Sequence, residues 1–154
     1  MSDWTVEEVF NRALLIEKQS VELYEWAAKK AAASESRSLL KRLAKEELGH
    51  KAKLEKARNS KAVLAQIGSK AKEAQDLGIA NYHGGASISE DADYGQILLF
   101  AAKREKETYE YYLELSQRLS GTQAGKLFAK LAQEELKHKK KIETEYDDKI
   151  LREN

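Results

Sequence analysis

The sequence predicts an all-α fold, a four-helix bundle built from two copies of one helical hairpin joined by a long crossover, and three observations carry the prediction. Proline is absent from the 154 residues, and Ala, Leu, Glu and Lys dominate; these residues lose little side-chain freedom in a helix. Four long stretches carry apolar residues three or four positions apart, the spacing of a single helix face. A shift of 88 aligns residues 17–55 with 105–143 without a gap, and 14 of the 39 pairs are identical, among them Glu17/Glu105, Lys18/Lys106, Glu22/Glu110, Tyr24/Tyr112, Leu43/Leu131, Glu47/Glu135 and His50/His138. Shared helical bias alone should match fewer positions, so the hairpin reads as an internal duplication.

The first helix starts at the capping-box pattern Thr5-Val6-Glu7-Glu8, ahead of periodic apolar residues, and helical composition continues to about Ala32. A polar break at Ser34-Glu35-Ser36 precedes a second helix over about residues 37–57, and so short a connection makes the two antiparallel neighbours. Between residues 59 and 91, Gly68, Gly78, Asn81 and the pair Gly84-Gly85 mark turns and breaks, with a short helix predicted over 61–77. Asp93 caps a third helix reaching about Leu119, Ser120-Gly121 end it, and Thr122 opens a fourth to about Ile150. One domain therefore spans residues 1–154, with hairpins at about 5–57 and 93–150 and the crossover at about 59–92.

Hydrophobic residues at 42% and charged residues at 34% allow both a core and long solvated faces, which argues against a disordered chain. Lys+Arg 27 against Asp+Glu 26 leaves a formal charge of +1. No basic block stands ready to neutralise a row of phosphates, so nucleic acid is not an implied partner. No stretch approaches the roughly 18 apolar residues of a membrane span, and no positive segment followed by an apolar run opens the chain. A soluble, cytoplasmic protein is expected. The chain has no cysteine, so disulfides, thiolate metal sites, iron–sulfur ligation and cysteine nucleophiles are excluded. Any metal must be held by carboxylates and imidazoles.

The inward stripes of the four helices carry the chemistry. The second helix presents Leu40, Leu43, Glu47, His50, Leu54 and Ala57, and the fourth Phe128, Leu131, Glu135, His138 and Ile142. Each of these stripes turns polar for one helical turn only. The first helix presents Phe10, Ala13, Glu17, Ser20, Tyr24 and Ala27, and the third Leu98, Ala101, Glu105, Thr108, Tyr112 and Leu115. Here one carboxylate interrupts each apolar stripe. Through the duplication, four carboxylates and two imidazoles converge at one depth of the bundle.

Burying four carboxylates uncompensated costs many kcal/mol, because each loses hydration and repels the others. Lys18, Lys51, Lys106 and Lys139 each sit one position off a glutamate or histidine of the stripe, so no lysine or arginine is expected on the stripe at that level. Metal is the remaining counter-charge. Two divalent ions balance four carboxylates, and oxygen donors with one imidazole per ion suit Fe(II), Mn(II) or Zn(II) better than Mg(II) or Ca(II). In Glu-x-x-His the two side chains lie on one face about a turn apart, so the carboxylate can bridge while the histidine caps one ion.

Glu17, Glu47-Leu48-Gly49-His50, Glu105 and Glu135-Leu136-Lys137-His138 resemble the ligand set of the rubrerythrin-type ferritin-like diiron-carboxylate proteins, and Glu17-Lys18 and Glu105-Lys106 are each followed at the same spacing by Tyr24 and Tyr112. The resemblance covers both hairpins. It implies a ferritin-like bundle holding two Fe ions, with Glu17 and Glu105 as terminal ligands, Glu47 and Glu135 as bridges, His50 and His138 as caps, and Tyr24 and Tyr112 as hydrogen-bond partners of the ligands. It implies an oxidoreductase that reduces hydrogen peroxide or O2 as Fe(II) becomes Fe(III), of the peroxidase or ferroxidase type, and a homodimer. The chain lacks the cysteines of a rubredoxin-like tail, so the expected electron donor is external, such as a separate rubredoxin or a reductase. Thr108 stands where typical members carry a further glutamate; Glu107 and Glu110 point to other faces. Iron storage, or binding of Mn or Zn without turnover, is the alternative reading of the same residues.

Other residues are read more simply. His83 is expected to be a loop histidine, and Trp4 and Trp26 packing residues; Tyr109 and Tyr111 lie off the seam. The run Lys137 to Lys141, interrupted by His138, is flanked by Glu134, Glu135, Glu143 and Glu145 and reads as a solvated helix face.

Overall fold

The computed structural model describes residues 6–68 and 87–152, and every regular element among them is helical. In order these are α1 (Val6–Lys30), α2 (Ser34–Arg58), α3 (Lys61–Gly68), α4 (Tyr94–Arg118) and α5 (Gln123–Tyr146), followed by a π-helical turn, Asp147–Leu151. No helix among the described residues is long and apolar enough to cross a membrane.

The helix ends follow local chemistry. Asp93 caps α4 by accepting from the Gln96 amide, and the Gln96 side chain returns the bond to the Asp93 amide, a reciprocal capping box. Thr122 caps α5 by accepting from the Gly125 amide at 3.0 Å. The predicted break at Ser34-Glu35-Ser36 is corrected: these residues form the first turn of α2, and the chain turns over residues 31–33 instead. Glu35 suits the positive N-terminal end of a helix, and the Arg37 guanidinium donates to the Ala31 and Ala32 carbonyls left exposed by the end of α1. The short crossover helix is observed to Gly68; the rest of its predicted span, Thr5, Trp4, Gly78, Asn81, His83 and Gly84-Gly85 lie outside the described residues.

Helices α1 and α2 pack along their lengths, as do α4 and α5, and the pairs meet through α1 against α4 and α2 against α5. Both meetings are antiparallel. Tyr24 reaches Glu105 while Tyr112 reaches Glu17, and His50 reaches Glu134 while His138 reaches Glu46. Consequently α2 ends and α4 begins at opposite ends of the bundle, which is why the connection is long. At one end Val63 and Ile67 of α3 are buried with Phe10, Leu54, Tyr112 and Phe128. At the other, Ile88 and Ala92 pack with Leu40, Leu98 and Ile142, and Lys30 donates to the Glu90 carbonyl.

Every residue of the four predicted stripes is buried, with the exception of Ala57, which is half-buried. Trp26 is half-buried against the core, Tyr111 is buried beside Tyr112, and Tyr109 packs partly against the same cluster. The apolar core consists of two separate clusters. Between them lies the polar layer.

The α4–α5 turn permits little variation. Gly121 has φ +84°, where a side chain is strained, and a Cβ on Gly125 would stand 2.2 Å from the Leu119 carbonyl oxygen. Gly125→Ala is expected to destabilise the chain by about 2 kcal/mol through overpacking against backbone, and Gly121→Ala by about 1 kcal/mol. Denaturant melts read both; an unperturbed Gly125→Ala variant would contradict this packing.

Candidate metal centre

Helices α1 and α4 each deliver one group to a common point, and α2 and α5 each deliver two. Glu17, Glu47 and Glu135 are fully buried, and Glu105, His50 and His138 nearly so. One donor atom from each of Glu17, Glu47, His50 and Glu135 lies within 4.8 Å of the others, and the same holds for Glu47, Glu105, Glu135 and His138. All six predicted ligands are therefore brought together, in two groups sharing Glu47 and Glu135.

The hydrogen bonds decide which atoms remain for an ion. Tyr112 donates to Glu17 Oε1 at 2.7 Å and Tyr24 to Glu105 Oε1 at 2.5 Å, leaving the Oε2 atom of each glutamate without a hydrogen-bond partner among the described residues. Among the described residues, neither oxygen of Glu47 or Glu135 has a hydrogen-bond partner. A carboxylate with one oxygen occupied suits a terminal, monodentate role, and one with both oxygens available and a place in both groups suits a bridge. Burial and the neighbouring carboxylates hold both tyrosine hydroxyls well above the usual phenol range, so they remain donors.

The imidazoles are oriented from outside the layer. His138 Nε2 lies 2.8 Å from Glu46 Oε2, and His50 Nε2 contacts Glu134 Oε2. A carboxylate oxygen is the accepting partner in such a contact, so each Nε2 donates and Nδ1 faces the cluster. His50 Nδ1 lies 2.8 Å from Glu135 Oε1, 3.1 Å from Glu47 Oε1 and 3.6 Å from Glu17 Oε2; His138 Nδ1 lies 3.1 Å from Glu47 Oε1 and 3.9 Å from Glu105 Oε2. The two rings run nearly parallel, 5.7 Å apart. Glu46 and Glu134 were missed by the stripe argument because they sit one position off it. Their signal was available, since they form an identical pair in the repeat directly before the ligand glutamates.

One buried positive charge was left out by the stripe argument. Arg104, next to Glu105, is buried and donates to the Ile16 carbonyl oxygen at 3.4 Å across the α1–α4 interface. A guanidinium thus lies at this depth, although one position off the stripe. Thr108 is buried one turn after Glu105, Glu107 is half-buried and Glu110 exposed, so no further carboxylate from α4 joins the cluster.

No family model, curated protein or solved structure matches the chain. The centre is therefore judged on its own donor set. Eight buried atoms face one another without hydrogen-bond partners among the described residues: Oε2 of Glu17 and Glu105, both oxygens of Glu47 and Glu135, and Nδ1 of His50 and His138. Orphaned buried polar atoms are rare, and this many on one point match the needs of two divalent cations.

Without metal, protons must supply the counter-charge. Burial first, and then Glu47, raises Glu17 from 4.5 to about 8; burial raises Glu105 and Glu135 as well. Burial works against a charge on Glu47 too, but the imidazoles of His138 and His50, each 3.1 Å from its Oε1, outweigh it and hold that carboxyl below the usual range. For His50 desolvation opposes the proton, yet Glu17 and Glu47 raise it to about 11, and Glu47 and Glu105 similarly raise His138 to about 9.

Five groups thus bind protons more tightly folded than unfolded. The histidine contribution to stability is complete below about pH 6.5 and disappears as pH rises through 9 and 11; Glu17 costs stability as pH rises from 4.5 through 8. The melting temperature of the metal-free chain is expected to fall steadily from pH 5 to pH 9. Saturating divalent metal should raise it most at high pH, because metal replaces protons. Calorimetry with and without chelator measures this, and a metal-free melting point that climbs over that range would refute the proton-bridged cluster.

Substitutions separate the roles. Glu47→Ala or Glu135→Ala should reduce metal content to one ion or none, whereas Glu107→Ala, on another face, should leave it unchanged. Elemental analysis after dialysis decides, and equal losses in all three would rule out the shared-bridge arrangement.

Proposed function

We propose that this chain is a ferritin-like, rubrerythrin-like non-haem diiron oxidoreductase that reduces hydrogen peroxide or O2. The observation supporting it is the eight-atom donor set above, two half-sites of carboxylate oxygens and one imidazole nitrogen each, the chemistry that suits Fe(II) and resembles the Glu-x-x-His pairs of diiron-carboxylate bundles. When bound, two Fe(II) supply the two electrons that, with two protons, turn hydrogen peroxide into two waters or O2 into hydrogen peroxide.

The residues contribute binding and charge balance. Glu47 and Glu135 would each touch both ions, with Glu17 and Glu105 terminal and the Nδ1 atoms of His50 and His138 completing one half-site each. Tyr24 and Tyr112 hold the terminal carboxylates in place through their Oε1 atoms. Glu46 and Glu134 keep each imidazole proton on Nε2 and so keep Nδ1 available. The two apolar clusters exclude water above and below the layer. An external reductant, such as a separate rubredoxin or a reductase, returns the electrons.

A second reading, iron storage or binding of iron, Mn or Zn without turnover, is favoured by buried Thr108. It leaves six ligands and no spare carboxylate to exchange as the charge on the metal changes.

Anaerobic Fe(II) titration, then stopped-flow mixing with hydrogen peroxide and separately with O2, distinguishes the two. Two irons per chain and rapid growth of a diferric absorption band are expected, the faster oxidant being the substrate. Two irons with slow oxidation select storage; stable binding of fewer than two overturns the dinuclear reading.

A further inference from the structure

The outer face of the metal layer is open between α2 and α5, where a cleft of about 450 Å³ lies over the edges of both imidazoles. Its acidic residues, Glu46 and Glu134, turn inward and meet the Nε2 atoms of His138 and His50. The remaining charged side chains that line it are Lys53, Lys137 and Lys141. Nearby lysines on the same helices are paired: Lys139 with Glu143 at 3.1 Å and Lys51 with Glu55 at 4.0 Å. Among the described residues no carboxylate lies within 4.0 Å of Lys53, Lys137 or Lys141.

Gly49 is the second observation. It lies in the interior of α2, where glycine weakens a helix relative to alanine. A Cβ there would meet nothing within 4 Å, so packing does not require it. The equivalent position in the other hairpin is Lys137. Gly49 lines the cleft, so a side chain at 49 would enter open space at its wall.

We infer that this cleft binds a small multivalent oxyanion, held by Lys53, Lys137 and Lys141 and admitted through the opening that Gly49 leaves. The antiparallel register sets Lys53 and Lys141 toward opposite ends with Lys137 between them. That spread fits an anion with several charged groups better than a single compact one. A bare divalent cation approaching this mouth meets three ammonium groups, whereas an anion, or a cation chelated by one, is drawn in. The inference goes beyond the redox proposal and is tested without metal, so either can fail alone.

Isothermal titration of the metal-free chain at low ionic strength with citrate, and separately with tripolyphosphate, tests it. Saturable one-to-one binding with a Kd of about 1 mM or tighter is expected for at least one probe, the preferred probe distinguishing a carboxylate from a phosphate ligand. The triple variant K53Q/K137Q/K141Q should weaken binding about tenfold or more. The variant K18Q/K29Q/K126Q, which removes equal charge from exposed sites elsewhere, should change it less than about twofold. Gly49→Leu keeps the net charge, favours the helix and should also weaken binding about tenfold by filling the mouth. Absence of saturable binding for both probes, equal loss in the two triple variants, or full binding by Gly49→Leu overturns the inference. Far-UV circular dichroism checks the fold, and metal content of each variant, read separately, reports on the metal centre alone.

Discussion

Four carboxylates buried within one layer are the constraint on which the rest of this structure depends. Their mutual repulsion and lost hydration oppose folding unless positive charge is supplied, and the surrounding groups permit no easy escape. Tyr24 and Tyr112, fully buried, tie one oxygen of Glu105 and one of Glu17. Above and below, the two apolar clusters close the layer. The free energy of the fold is therefore linked to whatever occupies the centre, protons or metal.

The same constraint makes assembly of the bundle and assembly of the site one event. Each of the two groups of donor residues takes its unshared glutamate and histidine from one hairpin but one of its two shared glutamates from the other. The orienting contacts are exchanged as well, with Tyr24 of the first hairpin on Glu105 of the second and Tyr112 on Glu17. Neither hairpin alone supplies all four residues of a group. The halves are nonetheless not identical: Leu23 corresponds to Tyr111, Ile16 to Arg104 and Gly49 to Lys137. These differences give the two halves distinct surroundings, while one cleft is lined by both imidazoles.

Much of this was legible from residue order because burial in a helix repeats every three to four residues. A glutamate in an otherwise apolar stripe is conspicuous, so Glu17, Glu47, Glu105 and Glu135 could be named with their histidines, and all six converge. The caps Asp93 and Thr122 were equally local signals. The turn between α1 and α2 was misplaced because Ser34, Glu35 and Ser36 are polar in a break and equally suited to a first helical turn. The contact that decides between these, Arg37 on the Ala31 and Ala32 carbonyls, is invisible to composition. Arg104 escaped because it lies off the stripe and is buried by a neighbouring helix rather than by its own periodicity.

By itself, then, the sequence determined the helical class, the repeat, the stripe and the six groups meeting at one depth, since each depends on spacing within a single helix. Only the tertiary structure decided the atoms: which oxygen of Glu17 and Glu105 is left over, that Glu46 and Glu134 meet Nε2 of both imidazoles so that Nδ1 faces inward, and that Gly49 and three lysines line one cleft beside them. The physical reason is distance along the chain. Tyr24 and Glu105 are 81 residues apart, Tyr112 and Glu17 are 95, and His138 and Glu46 are 92, and a hydrogen bond across such a separation exists only once the helices have packed.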